Sequence, residues 1–207
     1  YVTGRTTADL DGLHPTNSTD DGFVARFDRS GALKWLKQFG TSTASSEQAT
    51  AVTVTRAGTV FVAGTTSGDI DGLHDGNVSA DALIARYDRS GYRAWVKQLG
   101  AGGSTAEYAS GISATASGDV VAVGTTTGDL DDQHAGEHGE DGWVARYGAD
   151  GVRSWVRQIG GSGTDRFAGV VVIGSEVYVT GSTTGDLDGS HPTNSATDRV
   201  LVRLDGT

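Results

Sequence analysis

Two aspartates and a histidine recur in one frame at four places in the chain. The stretches read GRTTADLDGLH from Gly4, GTTSGDIDGLH from Gly64, GTTTGDLDDQH from Gly124 and GSTTGDLDGSH from Gly181. The paired aspartates are Asp9 and Asp11, Asp69 and Asp71, Asp129 and Asp131, and Asp186 and Asp188. One apolar residue separates the aspartates of each pair, so an extended segment would turn both carboxylates to one side. Two neighbouring carboxylates require a cation, a change of protonation or several hydrogen-bond donors.

Three partners for these carboxylates are compatible with the sequence. The first is an arginine that follows each anchor glycine by 22 residues, at Arg26, Arg86, Arg146 and Arg203. A guanidinium can bind a carboxylate through two parallel hydrogen bonds, and backbone N–H groups could satisfy the remaining oxygens. We expect this structural arrangement to account for the motif.

The other two partners are metal ions. Ca²⁺ prefers oxygen ligands, and the eight aspartates of the four pairs are the candidate metal ligands. The D-x-D-G pattern resembles the start of a calcium loop, but the third acid of an EF-hand loop and its final Glu are missing. A transition metal would add the histidine that follows each anchor glycine by ten residues, at His14, His74, His134 and His191. Such a histidine more often donates to a neighbouring carbonyl.

The same pattern argues against catalysis. An active site needs unequal residues in unequal roles, whereas every acid and histidine of the motif recurs in each copy. The chain has no cysteine, which excludes a thiol nucleophile and a disulfide framework. Ser45, Ser46 and Ser104 have no convincing base beside them. We therefore predict a protein that is not an enzyme, with no catalytic residue and no organic cofactor.

Charge narrows the class of partner. The chain has 16 Lys and Arg against 26 Asp and Glu, a formal net charge of −10. Nucleic acid and anionic membranes would be repelled, and no basic patch offsets this. No apolar run approaches the roughly 20 residues that cross a bilayer. The expected partners are therefore proteins or glycans.

Internal repetition indicates the fold class. The anchor glycines at 4, 64, 124 and 181 lie 60, 60 and 57 residues apart, so residues 1–207 form a single repeat region. Each copy contains up to four strand-like runs, which we term a, b, c and d in chain order. Tight turns such as DRSG join c to d. The prediction is an all-β protein of four-stranded antiparallel sheets, each about 60 residues long.

These sheets must be covered on both faces, because strands c and d carry apolar residues on both sides. Sheets repeated at a fixed period and covered on both faces describe the blades of a β-propeller. Trp35, Trp95 and Trp155 would plug the space between blades, and Trp143 would lie in the core. The b–c loops and the d–a loops, which carry Glu47, Glu107 and Asp165, emerge at one end, so we expect an acidic face there.

A family resemblance supports this architecture. The run DGFVARFDRSGALKWLKQFG, followed by AVTVTRAGTVFVAGTTSGDIDG, resembles the bacterial SBBP β-propeller repeat along essentially the whole chain. The resemblance implies a propeller fold, no general catalytic mechanism, and a bacterial location that is extracellular or on the cell surface, with the periplasm as the alternative. A more distant likeness to quinoprotein-type blades concerns the blade scaffold alone.

Counting strands predicts open edges. The chain supplies b-c-d, two full a-b-c-d sets and a final a-b-c, which makes three to four blades. We expect a mature product or a segment of something longer, with further blades from a longer chain or a homo-oligomer. The functional hypothesis is a non-catalytic extracellular binding, adhesion or scaffold module with an acidic loop face, for which stabilisation by calcium is one alternative. The alternatives are a structural subunit that assembles through open blade edges and a propeller-type enzyme resembling a lyase or quinoprotein.

Overall fold

The computed structural model describes residues 1–14, 19–41, 45–74, 79–134, 139–161, 163–190 and 197–206. This part of the chain contains fourteen strands and no helix, as the sequence predicted. The strands are β1 (Val2–Thr6), β2 (Asp21–Phe27), β3 (Leu33–Phe39), β4 (Glu47–Val54), β5 (Val60–Thr66), β6 (Asp81–Tyr87), β7 (Arg93–Leu99), β8 (Glu107–Ala114), β9 (Val120–Thr126), β10 (Asp141–Tyr147), β11 (Arg153–Ile159), β12 (Asp165–Ile173), β13 (Glu176–Thr183) and β14 (Asp198–Asp205). Within the described ranges, nothing forms a helix that could cross a membrane.

The strands form four antiparallel sheets in chain order. Their strand orders are β1-β2-β3, β4-β5-β6-β7, β8-β9-β10-β11 and β12-β13-β14. The two complete sheets confirm the predicted a-b-c-d unit, the first sheet lacks strand a, and the fourth lacks strand d. Each pair of neighbouring strands within a sheet is connected directly along the chain, so all the pairings are local antiparallel ones.

Consecutive sheets pack on one another through apolar residues. Phe61 and Ile84 of the second sheet face Trp143 and Tyr147 of the third in one continuous core. Corresponding cores lie between the first and second sheets and between the third and fourth. Because β5, β6, β9 and β10 are covered on both faces, their sequences are almost continuously apolar rather than alternating.

Strand a of the second sheet packs closely against strand a of the third, and strand a of the third against that of the fourth. Thr50 on β4 donates to the carbonyl of Ala109 on β8 at 2.7 Å, and Ser110 on β8 donates to the carbonyl of Phe167 on β12. The backbone of Gly111 approaches that of Gly169 so closely that an added Cβ would lie 3.2 Å from its Cα. Small residues are therefore required on strand a, as the sequence predicted.

Two tryptophans on strand d donate a hydrogen bond to the following sheet. The Trp35 indole donates to the carbonyl of Arg89 at 3.0 Å, and the Trp95 indole donates to that of Ala149 at 3.0 Å. Both acceptors lie in the c–d turn of the following sheet. The predicted position between sheets is confirmed for Trp35 and Trp95. Trp155 also packs against the core between the third and fourth sheets, but its indole N–H has no acceptor among the described residues. Trp143 is fully buried as expected.

The two end sheets leave apolar faces open. Leu201 on β14 is 71% exposed, whereas its counterparts Val24, Ile84 and Val144 are 0% exposed because each faces a following sheet. Within the described residues, no strand of the fourth sheet pairs with a strand of the first. The four sheets are thus a row of blade-like units, and no closed ring is observed.

Candidate functional site: the acidic loops and the sheet junctions

The first aspartate of each pair organises its own loop. In the second copy, Asp69 Oδ1 accepts hydrogen bonds from the backbone N–H groups of Gly72 at 2.7 Å and His74 at 3.1 Å. Gly72 adopts a φ of 77°, which lets the chain bend back over the carboxylate. Asp9 makes the same bonds to Gly12 and His14 in the first copy. The first carboxylate therefore acts as a local turn acceptor.

The second aspartate ties the loop to strand d of its sheet. Asp71 Oδ1 bonds to Nδ1 of His74 at 2.9 Å, and its Oδ2 accepts from the backbone N–H of Gln98 at 3.0 Å. Asp11 and Asp131 repeat both contacts. The sequence analysis expected a carbonyl as the histidine's partner; in the three described copies, Nδ1 instead bonds to the aspartate three positions before it.

Competing effects act on the pKa of this second aspartate. Burial alone would raise the pKa of Asp11, but the His14 side chain and the Gln38 backbone N–H outweigh burial and lower it. The same balance, led by the Gln158 backbone N–H, lowers the pKa of Asp131. In the first and third copies, the surroundings of this aspartate therefore favour its charged form.

A glutamine on strand d joins the loop to the sheet interior. The Gln98 side-chain oxygen accepts from the backbone N–H of Ile70 at 3.2 Å, and its Nε2 donates to Asp81 Oδ2 at 2.7 Å. Gln38 and Gln158 do the same in their copies. We did not single out these glutamines from the sequence. The signal that could have found them is their fixed place in KQFG, KQLG and RQIG.

Asp81 in turn faces the start of the next sheet. Its carboxylate lies against Gly100, where an added Cβ would be 2.6 Å from the carboxylate carbon. Glu107, at the start of β8, accepts from the backbone N–H of Ala101 at 3.2 Å and from Thr126 Oγ1 at 2.8 Å. One polar chain thus runs from the loop through Gln98 and Asp81 to the next sheet. We call this region the sheet junction.

The same arrangement recurs at three sheet junctions. Each contains a strand-c aspartate, a strand-d glutamine, an acid that opens the next strand a, and a strand-b threonine. The sets are Asp21, Gln38, Glu47 and Thr66; Asp81, Gln98, Glu107 and Thr126; and Asp141, Gln158, Asp165 and Thr183. All six acids are at most 3% exposed.

This burial corrects the predicted acidic face. Glu47, Glu107 and Asp165 lie at the expected end of the sheets, but they point into the sheet junctions rather than onto the surface. The sequence placed them on the correct loops. It could not show that the following sheet covers them.

The predicted arginine partners are also corrected. Arg26 donates to the carbonyl of Arg89 at 3.1 Å, Arg146 binds Asp119 at 2.7 Å, and Arg203 lies 3.4 Å from Glu176. The register places Arg146 opposite Trp155, five residues along β10 from Asp141 at the loop end. Five residues of strand span about 16 Å, so the guanidinium lies at the other end of the sheet from the paired aspartates.

Three of the predicted metal-ligand sets do converge. Asp9, Asp11 and His14 each place one ligand atom within 4.8 Å of the others, as do the sets at Asp69, Asp71 and His74 and at Asp129, Asp131 and His134. Asp186 and Asp188 are described in the fourth copy, whereas His191 lies outside the described residues. Among the described residues, each set offers two carboxylates and one imidazole, which is fewer oxygens than the six to eight that Ca²⁺ takes, and backbone N–H groups already bond to its carboxylates.

Comparison with known proteins adds no family to this picture. The chain matches no family model and no curated protein sequence.

Proposed function

We propose that this chain is a non-catalytic scaffold segment of a β-propeller, which assembles by adding strands and sheets at its open edges. The SBBP resemblance supports the propeller arrangement and a position outside the bacterial cell. The main observation in support of this assembly is the outer edge of β14. This edge has the same features that bind strand d in the other sheets. The acidic loops are then parts of the scaffold.

The complete sheets provide a template for that edge. In the third sheet, strand d places Gln158 opposite Trp143 of strand c. From there Gln158 accepts from the backbone N–H of Leu130 and donates to Asp141. The corresponding positions in the fourth sheet are Leu187, Asp198 and Val200, which lie equally far from their anchor glycine.

The fourth sheet has an open groove at the position that strand d would occupy. A groove of about 540 Å³ is lined by residues of β14 and of the preceding loop, including Leu187, Asp198 and Val200. The groove lies where strand d would put its glutamine. The exposed strand edge also offers N–H and C=O groups for pairing, which is the usual basis of strand addition.

The adjoining face favours a further sheet. Val171, Ile173 and Leu201 are 48%, 62% and 71% exposed on the side that faces a neighbouring sheet elsewhere in the molecule. Burying a side chain of this size contributes about 1.5–3 kcal/mol. An added sheet would therefore gain both edge pairing and apolar packing.

The test uses a strand-d peptide with the sequence of residues 152–161, VRSWVRQIGG, and the same peptide with Ala in place of Gln as the matched control. Binding is followed by NMR through the backbone amides of Leu187, Asp198 and Val200. We expect concentration-dependent shifts at these amides with the glutamine peptide and weaker ones with the control. An equal response to both peptides, or shifts confined to other sheets, would contradict the proposal.

A further inference from the structure

Two buried acids from consecutive sheets meet at each sheet junction. Asp81 opens β6 and Glu107 opens β8, and both are 0% exposed. Their carboxylates border the same peptide unit, because Asp81 lies against Gly100 and Glu107 accepts from the N–H of Ala101. The other pairs are Asp21 with Glu47 at residues 40–41 and Asp141 with Asp165 at residues 160–161.

No cationic side chain neutralises these pairs in the described part of the chain. The charged groups nearest in sequence pair outside the junctions, as Arg5 with Asp20 and Arg166 with Glu140. His74 approaches only indirectly, through Asp71 and the Gln98 backbone. Two ionised carboxylates in such a setting repel each other strongly, because the buried region screens charge poorly.

Donors are unequally distributed between the two acids: Glu107 receives the Ala101 N–H and the hydroxyls of Thr126 and Thr105, whereas Asp81 receives one described side-chain donor. Asp81 Oδ2 receives the Gln98 amide, but its buried Oδ1 has no donor among the described residues. The corresponding Oδ1 atoms of Asp21 and Asp141 are in the same position. Burial, with a further contribution from the facing aspartate, raises the pKa of Glu47, Glu107 and Asp165.

A threonine hydroxyl beside the acid can serve as hydrogen-bond donor or acceptor, so it can bond to the acid in either protonation state. Thr126 Oγ1 has two acceptors in reach, Glu107 Oε1 at 2.8 Å and the carbonyl of Gly128 at 3.4 Å. When Glu107 is ionised, the hydroxyl donates to it. When Oε1 carries a proton, that O–H can donate to Thr126, whose own proton turns to the Gly128 carbonyl. Thr66 has the same choice between Glu47 and the Gly68 carbonyl.

We propose that each sheet junction is a proton-binding site, formed by the acid pair and its threonine, that strengthens the packing of consecutive sheets in mildly acidic solution. One proton from solvent binds the acid that opens strand a, at Oε1 of Glu47 and Glu107 and on the carboxyl of Asp165. The strand-c aspartate keeps its glutamine donor. This inference does not depend on the open edge of β14.

The direction of the pH effect follows from linkage. An acid whose pKa is raised in the folded state binds its proton more tightly there than in the unfolded chain. The resulting stabilisation is complete below the unfolded pKa, about 4.3 for Glu and 3.9 for Asp. It is lost as pH rises through the higher folded pKa. Unfolding near pH 5 should therefore release protons, up to one for each sheet junction.

Carboxyl NMR tests the proposal without a variant. The chain has five Glu residues, so ¹³C labelling of glutamate side chains gives a small set of signals to assign. We expect the carboxyl signals of Glu47 and Glu107 to titrate at higher pH than the same residues in peptides of matching sequence. Titration at the peptide value would overturn the proposal.

An isosteric variant separates proton binding from plain structure. Glu107→Gln carries the shape of the protonated acid, and Glu176→Gln, whose side chain is 40% exposed and pairs with Arg203 outside the sheet junctions, is the control. Between pH 7 and pH 5 the melting temperature of the wild type should rise, and the rise should be smaller in Glu107→Gln, since one of the three sheet junctions no longer takes up a proton. The control should remove none of it.

Two results would contradict the proposal. One is an unchanged pH dependence in Glu107→Gln together with a lower melting temperature at every pH. The other is a rise of the wild-type melting temperature with Ca²⁺ at pH 7 that Glu107→Gln abolishes, because the site would then belong to a cation. A melting temperature of Glu107→Gln at pH 7 that equals or exceeds the wild-type value supports the proton site.

Discussion

Replacing Gln98 by alanine removes the side chain that connects an acidic loop to the sheet junction. The substitution leaves the backbone N–H of Ile70 without its acceptor at 3.2 Å and the buried Asp81 carboxylate without its donor at 2.7 Å. Each group stripped of its partner costs about 1–3 kcal/mol, and the charged one lies at the upper end of that range. We therefore expect a loss of about 2–6 kcal/mol in the free energy of unfolding.

The assay is thermal and urea unfolding followed by tryptophan fluorescence. For a chain of this size, 1 kcal/mol corresponds to roughly 2–4 °C, so Gln98→Ala should lower the melting temperature by about 10 °C. Lys97→Ala, next to it on β7, is the control and should change stability by at most about 0.5 kcal/mol. Equal effects of the two substitutions would refute the role of Gln98.

A double-mutant cycle assigns the loss to the contact itself. Asp81→Ala and Gln98→Ala, alone and together, should be non-additive by about 0.5–3 kcal/mol, because the two side chains contact each other directly. Additive losses would mean that Gln98 stabilises the protein by some other route than Asp81.

Two further predictions concern the same region. Gly160→Ala should lower the free energy of unfolding, measured in urea, by about 1–3 kcal/mol, because its Cβ would overlap the Asp141 carboxylate. Gly161→Ala is the control and should be tolerated, because a Cβ there meets nothing within 4 Å. Equal losses of stability in the two variants would contradict this packing. The lowered pKa of Asp131 gives stability that is present above its unfolded pKa of about 3.9 and lost as pH falls, so Asp131→Asn should destabilise at pH 7 and lose this effect in strong acid. A loss of stability in Asp131→Asn that is the same at every pH would show that the charge of Asp131 is not involved.

Local sequence features were sufficient to predict the strands and the turns between them. Strand and turn patterns depend on neighbouring residues, and the c–d turns form as predicted, with Asp28 accepting from the N–H of Ser30 and Gly31 at a φ of 82°. The incomplete first and last sheets also followed from counting the runs. What the pattern did not predict is the shift of register on strand a, as between Ala49 and Ala51 on β4.

The site was predicted in part. The sequence predicted that Asp69 and Asp71 face together and gave His74 as an added ligand in one metal alternative, and the structure brings all three together. The partner was wrong because a fixed spacing along the chain does not show which end of a sheet a side chain reaches. Gln98 lies 27 residues from Asp71 and Arg86 only 15, yet antiparallel pairing brings the glutamine back to the loop.

The most direct test of the central claim, that the acidic loops are locked by the scaffold itself, is amide hydrogen exchange in the presence of EDTA. The account predicts slow exchange at Leu10, Ile70 and Leu130, whose N–H groups donate to glutamines, and fast exchange at Leu187, which has no strand d beside it in the described residues. Protection that appears at all four positions only when Ca²⁺ is added would contradict the account.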